Sequence, residues 1–318
     1  MSSDLIDVVV SERINQGNGI AVLTLEAPDG SPLPAFTAGA HIDIHLGNDL
    51  VRQYSLCGDP AETRHYRLGV LNDPASRGGS AYVFEQLNPG STVQISAPRN
   101  HFPLADNAGR HVLIGGGIGI TPMIAMAKTL SRQGADFALH YCLRSESAGA
   151  FVDELRAEFG EQLVLHCDDL GDEQKLIPEQ LLSAAQSDLH LYVCGPGGFM
   201  DWVINSAKAA GLPGEQIHFE YFSAEVDTTG DSFEVYCAQS DITVEVGSEQ
   251  TIAKALKSAG LKIDVSCEEG VCGTCITDVL EGQPDHRDHF LTDEEKEDND
   301  QIAVCCSRAC SKRLVLDI

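Results

Sequence analysis

The sequence predicts a multidomain protein: an antiparallel β-barrel or sandwich, then a parallel α/β sheet, then a small β-rich domain with a cysteine loop. Three observations lead there. Up to about residue 103 the chain consists of short strand-like runs, and from about residue 110 strands alternate with helices. Six of the eleven cysteines fall within the last 52 residues. Boundaries are expected at 1–104, 105–225 and 226–318.

The bulk numbers fit that division. A chain of 318 residues is too long for one ordinary core and suits two or three domains. With 43% hydrophobic and 22% charged residues the balance is that of a globular protein. The opening "MSSDLIDVVV" carries acids instead of a basic leader, and no apolar run approaches a membrane span. The expectation is a cytoplasmic protein without a membrane segment. The formal net charge of −27, from 48 acidic and 21 basic residues, repels phosphate backbones and argues against a nucleic-acid partner. It leaves room for a partner with a basic face, although solubility alone accounts for it.

In the first domain, "IDVVV", "IAVLTLEA", "HIDIHL" and "TVQISAP" are alternating or apolar runs between Gly, Pro and Asp turns, and "SAYVFEQL" is the one helix-like stretch. In the second, "RHVLIGGGIGITPMIAMAKTLSRQG" reads as a buried strand, a Gly-rich turn, and a helix with Pro122 in its first turn. "DFALHYCLR" with "AFVDELRAEFG", "QLVLHCDD" with "PEQLLSAA", and "DLHLYVCGPGGFMDWVINSAKAAG" repeat the strand–helix grammar. Such alternation implies a parallel sheet whose loops collect at one edge. "AEVDTTGDS" (224–232) has no apolar anchor between Val226 and Phe233 and reads as a linker. A hairpin, "SFEVYCAQSDITVEVGS", one helix, "TIAKALKSAG", and the cysteine loop follow. The acidic run "TDEEKEDND" is a charged surface segment with some helix.

The loop "SCEEGVCGTC" spaces its thiols as Cys267-x4-Cys272-x2-Cys275, and "AVCCSRAC" offers Cys305, Cys306 and Cys310 for a fourth. With Cys305 the last gap is x29, the plant-type [2Fe–2S] spacing. Four thiolates offset the positive iron, and Gly270 and Gly273 let backbone N–H groups approach sulfur. Four thiolates also suit zinc, but zinc sites usually come as two paired knuckles, whereas here three thiols share one loop. Neighbouring side chains point in opposite directions, so one of Cys305 and Cys306 faces the group while the other packs elsewhere. Cys310 reads as a bystander.

"GGGIGITP" (115–122) follows a strand and opens a helix, as a phosphate-receiving turn does. Alone it equally suits an ordinary tight turn. A second turn of the same kind, "CGPGGFM" (194–200), makes a dinucleotide crevice the better reading. In the first domain "RQYSL" supplies a bidentate cation at Arg52, an aromatic face at Tyr54 and a hydroxyl at Ser55. "SRGGS" (76–80) precedes the helix-like stretch and suits an anion.

The order RxYSL, RGGS, GGIGITP, CGP, HFE-x-F and a C-terminal CxxxxCxxC loop resembles the phthalate dioxygenase reductase family, and within it the reductase subunits of Rieske oxygenase systems. "GQPDHRDHFLTDEEK" and the ending "CCSRACSKRLVLDI" share the likeness, which covers essentially the whole chain. The resemblance implies an FMN-binding β-barrel, a nucleotide-binding α/β domain, and a β-grasp domain of the plant-type ferredoxin kind. It implies that Arg52, Tyr54 and Ser55 hold FMN, with Gly78, Gly79 and Ser80 at its phosphate. Thr121 is implied near the reactive edge of the flavin, Phe222 stacked on the ring and Glu220 close by. Gly117 and Gly119 with Cys194, Gly195 and Pro196 are implied to receive NADH, Cys194 being near the hydride-donating carbon. Cys267, Cys272, Cys275 and Cys305 are the implied cluster ligands. Asp168 and Asp169 after the third strand favour a ribose hydroxyl, hence NADH, while Arg144 serves either nicotinamide cofactor.

The three parts belong together chemically. NADH gives two electrons at once and a [2Fe–2S] cluster takes one, so a flavin belongs between them. The expected function is an NADH-dependent reductase passing electrons through FMN and the cluster to a separate Rieske-type oxygenase. A sensor needs no intact flavin site, and a stand-alone oxygenase needs a further catalytic domain. The remaining alternative is an FAD-containing reductase serving another acceptor, such as a di-iron monooxygenase.

Overall fold

Strand pairing in the first hundred residues follows directly from their alternation. The computed structural model describes residues 5–47, 50–106, 108–182, 188–223 and 226–318. They fall into two compact units, Met1–Phe222 and Ser223–Ile318.

In the first unit, β1 (Ile6–Gln16), β2 (Ile20–Glu26), β3 (His41–His45), β4 (Val51–Ser55), β5 (His65–Leu71), helix α1 (Gly79–Gln86) and β6 (Thr92–Ile95) come in turn. The sheet order is β4-β3-β6-β1-β2-β5, every pair antiparallel. A bridge between Leu56 and Leu68 joins the two edges, so the sheet closes as a barrel rather than a sandwich. Val8, Val10, Ile20, Leu23, Leu25, Ile42 and Ile44 point inwards and are fully or almost fully buried.

The same unit continues with β7 (Arg110–Gly116), α2 (Ile120–Gln133), β8 (Phe137–Leu143), α3 (Val152–Phe159), β9 (Leu163–Cys167), α4 (Pro178–Leu182), β10 (Leu189–Cys194), α5 (Gly197–Ala209) and β11 (Ile217–Glu220). All pairs are parallel in the order β11-β10-β7-β8-β9. The order reverses beside β7, which opens a crevice at the carboxyl ends of β7 and β10. Helix α2 buries Ile120 through Ala127 without a break and stops at Gly134 in the left-handed region. The end of the expected third helix, Ser183–Ala185, lies outside the described residues.

The second unit holds β12 (Phe233–Cys237), β13 (Ile242–Val246), α6 (Ile252–Ser258), β14 (Ile276–Glu281), β15 (Pro284–Asp285), α7 (Asp293–Asp298), β16 (Gln301–Ala303), β17 (Arg308–Ala309) and β18 (Arg313–Leu316). The order β13-β12-β18-β14-β16, with β12 and β18 parallel and α6 packed on the sheet, is a β-grasp. Thr251 caps α6 by accepting from Lys254 N at 3.2 Å. A Thr292–Glu295 capping box starts the acidic α7, whose residues stay unburied.

The expected linker behaves differently over its length. Ala224 and Glu225 lie outside the described residues. Residues 227–231 are tied to the second unit through backbone carbonyls. Arg287 donates to Asp227 O at 2.6 Å and Thr229 O at 2.8 Å, and Arg308 to Thr228 O at 2.6 Å and Asp231 O at 2.9 Å. Polar side chains from a later part of the chain replace the missing apolar anchor. No helix among the described residues is long and apolar enough to cross a membrane.

Candidate active site

The barrel offers an anion seat where two short motifs meet. Arg52 on β4 donates to Val51 O at 2.7 Å and to Arg77 O at 3.0 Å, which holds its guanidinium across the start of α1. A Cβ on Gly79 would lie 2.6 Å from Arg52 Cγ, so a side chain there would displace the arginine. Gly78 precedes the helix with φ of 91°, and no side chain caps it. Backbone N–H groups at the helix start therefore face the same place as the guanidinium, the donor set a phosphate needs. Ser80 Oγ accepts from Asp73 N at 3.3 Å, and Tyr54 is half-buried beside this strand.

Two glycine-rich turns interlock at the crevice of the parallel sheet. A Cβ on Gly119 would stand 2.3 Å from Cys194 O, and one on Gly195 would stand 3.1 Å from Gly116 Cα. Neither neighbour can move, because each is backbone in a central strand or its turn. Helices α2 and α5 both begin here without a side-chain cap; Ile120 N donates to Gly117 O and Ile118 O and Phe199 N to Pro196 O, so an anion would draw on the neighbouring N–H groups. Gly117 is open, with nothing within 4 Å of a Cβ placed on it. Arg144, Asp168 and Asp169 are exposed after neighbouring strands of the same edge, and Arg144 O accepts from Asp169 N at 3.1 Å. Thr121 is 1% exposed, and its Oγ1 donates to Ile118 O at 3.0 Å. Its methyl lies against Gly69 of the barrel, 2.8 Å from a Cβ placed there.

Barrel and sheet meet at a polar contact between residues far apart in sequence. Ser55 Oγ, at the end of β4, donates to Glu220 Oε2 at 3.1 Å, at the end of β11. Glu220 is the register partner of Cys194 on β10. Its side chain is only 15% exposed, and burial pushes its carboxyl up to about 7 against the lowering effect of the Ser55 bond. The buried Cys194 thiol is pushed well above its ordinary range by burial and by Glu220, so it stays protonated. Phe222, two residues beyond Glu220, is 36% exposed and presents its ring at the surface.

Sequence reading missed His41. It lies opposite Ser55 in the β3–β4 pairing, and its Nδ1 sits 3.8 Å from Glu220 Oε1. Burial and then Arg99 lower its pKa to about 4, so the two groups do not form an ion pair at neutral pH. In the sequence His41 was only the first residue of "HIDIHL", and nothing local marked it.

The raised carboxyl makes a test of the site's burial. Between about 4.5 and 7 folded Glu220 holds a proton that the unfolded chain releases, so rising pH lowers stability across that window. Glu220→Gln is therefore expected to unfold at higher denaturant than the parent at pH 8, by about 3 kcal/mol at most, with the difference vanishing near pH 4.5. Equal differences at both pH values would show that Glu220 is not titrating in the folded site.

In the second unit the loop cysteines come together with Cys305. Cys267, Cys272, Cys275 and Cys305 are 9%, 4%, 5% and 3% exposed, whereas Cys310 is exposed. Cys267 Sγ lies within hydrogen-bonding reach of the Cys272 and Cys305 sulfurs, and Cys275 Sγ of Cys305. Glu269 N donates to Cys267 Sγ at 3.3 Å, and Val271 N also points at that sulfur. Gly270 and Gly273 both have φ of 72°. A Cβ on Gly273 would lie 2.2 Å from the Phe290 ring, and one on Gly270 2.5 Å from Cys306 Sγ. Only glycine gives this loop both its left-handed turns and its contact with the chain beneath. Cys306 thus packs under the loop while Cys305 joins the other three sulfurs. Among the described residues no group of three or more His, Cys, Asp or Glu is placed to hold a single metal ion, and the four sulfurs form a chain of contacts from Cys272 through Cys267 and Cys305 to Cys275. Each iron of a [2Fe–2S] centre takes two protein ligands, and backbone donors to sulfur suit it, so these residues fit that group.

Fold and sites together define a class: an iron–sulfur flavoprotein oxidoreductase in which a barrel, a nucleotide-binding sheet and a ferredoxin module follow one another. Comparison with known proteins agrees. Residues 235–310 match the 2Fe-2S iron-sulfur cluster binding domain, and residues 95–217 match the N-terminal domain of the dimethylamine monooxygenase subunit DmmA-like family. The vanillate O-demethylase oxidoreductase of Pseudomonas sp. (strain HR199 / DSM 7063) is 48% identical over 99% of this chain and 100% of its own. The solved structure of phthalate dioxygenase reductase superposes with a TM-score of 0.75 at 34% identity, covering 99% of this chain and 98% of that one. An intact type IV self-sufficient cytochrome P450 monooxygenase superposes with a TM-score of 0.88 at 37% identity over 99% of this chain, which spans 41% of that protein's length. The chain belongs to the phthalate dioxygenase reductase family. It is an electron-transfer reductase that joins a flavin- and pyridine-nucleotide-binding unit to a 2Fe–2S domain.

Proposed function

We propose that this reductase takes a hydride from NADH and delivers single electrons to a separate oxygenase of the Rieske type. The observation that carries the reading is the meeting of Ser55 with Glu220, and of Glu220 with Cys194, at the crevice edge. A flavin-side motif and a nucleotide-side motif that stand 165 residues apart share one small polar site.

The residues divide the work by chemistry. Arg52 and the backbone of Gly78, Gly79 and Ser80 hold the FMN phosphate, while Tyr54 and Phe222 supply aromatic faces for its ring. Gly117, Gly119, Gly195 and Pro196 bring backbone close to the NADH pyrophosphate, and Cys194 stands beside the nicotinamide as a small neutral thiol. Asp168 and Asp169 accept from ribose hydroxyls, with Arg144 at the same edge. Thr121 closes the floor between barrel and sheet. Its hydroxyl is spent on Ile118 O, so its role is shape. Ser55 and Glu220 hold a proton next to the flavin. Cys267, Cys272, Cys275 and Cys305 would together hold the two irons of the cluster. Bound FMN supplies the conversion of a two-electron donor into single electrons.

The domains divide at 104/105 and 225/226, the second boundary falling just before the arginine-bound segment 227–231. The acceptor is supported by the vanillate O-demethylase relative, and the acidic surface of the chain suits a basic docking face. None of the eleven cysteines is joined in a disulfide, and the seven outside the cluster set remain thiols, which supports a reducing cytoplasmic setting.

An anaerobic NADH titration followed by absorbance and electron paramagnetic resonance tests the reading. About three electrons per chain are expected, two at the flavin and one giving a cluster signal. A protein that ignores NADH, or a flavin that bleaches over an iron-free loop, would overturn it. The P450 relative favours a second acceptor chemistry, haem, and pairing the reduced protein with Rieske and haem oxygenases separates the two. Mass analysis of the released flavin distinguishes FMN from FAD.

A further inference from the structure

The cofactor chemistry leaves one proton to remove. NADH splits into NAD⁺, two electrons and a proton; the electrons leave through the cluster, so for each turnover one proton must leave the flavin site. Ser55 and Glu220 stand at that site, yet Glu220 is only 15% exposed and lacks a broad path to water.

We propose, resting on the flavin and NADH placement above, that His41 is a positioning residue through which the Ser55–Glu220 pair passes protons to solvent by way of His101. The imidazole lies between the two: its Nδ1 is 3.8 Å from Glu220 Oε1, and its ring centroid is 5.5 Å from that of His101 at an interplanar angle of 35°. His41 is 5% exposed and its Nε2 is buried without a hydrogen-bond partner, a costly state for a core histidine with no further task. His101 is exposed. The transfer balances without any added reactant. Ser55 takes up the proton leaving the flavin site as it passes its own to Glu220, the carboxyl gives its proton to His41 Nδ1, Nε2–H gives one towards His101, and return of the imidazole to its starting tautomer resets the relay. Closing the gap by about 1 Å through a side-chain rotation makes the first of the imidazole's hydrogen bonds.

The charged groups around His41 suit a carrier that is neutral at rest. Arg99, its backbone partner across a β-bridge, opposes protonation, as does His101. Asp43, two residues along β3, favours it but is itself bound to Arg99 at 2.7 Å. On the other side, Glu220 faces Ser55 and Cys194. Glu220 near 7 and His41 near 4 both exchange protons without trapping them at cellular pH.

The test uses the full-length holoprotein with His41→Gln, His41→Gly and, as reference, Glu220→Gln. Two readouts are followed: the pH profile of NADH-driven reduction of a one-electron dye, and the infrared titration of the protonated Glu220 carboxyl in oxidised protein without NADH. The inference expects His41→Gln to slow dye reduction about tenfold, with a larger solvent isotope effect, and to displace the carboxyl titration. Free imidazole is expected to restore His41→Gly. If Glu220→Gln slows turnover but the His41 variants neither slow it nor move the carboxyl band, the His41 inference alone falls. A slow His41→Gly that imidazole does not restore, with an unmoved band, reduces His41 to a packing role. If Glu220→Gln also turns over normally, the reading of the whole site falls.

Discussion

Replacing Cys305 with Ala is expected to separate the two halves of the reaction. Flavin reduction by NADH persists, while the cluster's paramagnetic signal disappears and electron delivery to the oxygenase falls at least about 100-fold. The reason is geometric. Cys305 is the sulfur outside the loop that reaches both Cys267 and Cys275. Without it one iron keeps a single protein ligand. The informative contrast is Cys306→Ala. Cys306 Sγ lies beneath Gly270, so its loss opens a small cavity costing about 1–2 kcal/mol while the cluster and its signal remain. Iron content and the low-temperature spectrum of both variants check this. A cluster retained in Cys305→Ala and lost in Cys306→Ala would reverse the assignment of the fourth ligand.

Arg308→Met is expected to destabilise the second unit by about 3–5 kcal/mol, measured as the loss of visible circular dichroism from the cluster in denaturant. Arg308 is 2% exposed and has no carboxylate partner within bonding distance among the described residues. It donates instead to four carbonyls: Thr228 O at 2.6 Å, Gln250 O at 2.8 Å, Asp231 O at 2.9 Å and Gly247 O at 3.0 Å. Its guanidinium carbon also lies 5.3 Å from the centroid of the Phe233 ring. Methionine fills much of the volume but leaves those acceptors without their donor. Lysine restores the charge, but its single ammonium cannot span four carbonyls, so Arg308→Lys is expected to recover only part of the loss. Because Arg308 holds Thr228 O and Asp231 O, the same variants are expected to expose 226–231 to limited proteolysis. A variant as stable as the parent, with that segment still protected, would show that the arginine holds nothing essential.

Some of this was legible in the residues themselves. Period-two alternation and turn residues announced the antiparallel domain, and the change of grammar near residue 110 announced the parallel one. The cysteine spacing and two glycine-rich turns each named a chemistry, because each needs several specific residues within a few positions. Helix ends were also local matters, as the Thr292–Glu295 box shows. The linker was less legible. Its composition is that of a loose connection, yet residues 227–231 are bound by arginines that come some 60 to 80 positions later.

The sequence by itself determined which elements form and which cofactor chemistries the chain carries, because periodicity, turn residues and ligand spacing are written within a few neighbours. The tertiary structure alone decided how those parts meet. It closed the first sheet into a barrel through Leu56 and Leu68 and laid Arg52 across the start of α1. It turned Cys305 rather than Cys306 towards the loop sulfurs, and brought Ser55, Glu220 and His41 into one buried group. Proton affinities belong to this second class as well. Glu220 and His41 have ordinary side chains, and only the burial created when barrel and sheet pack together moves one up and the other down.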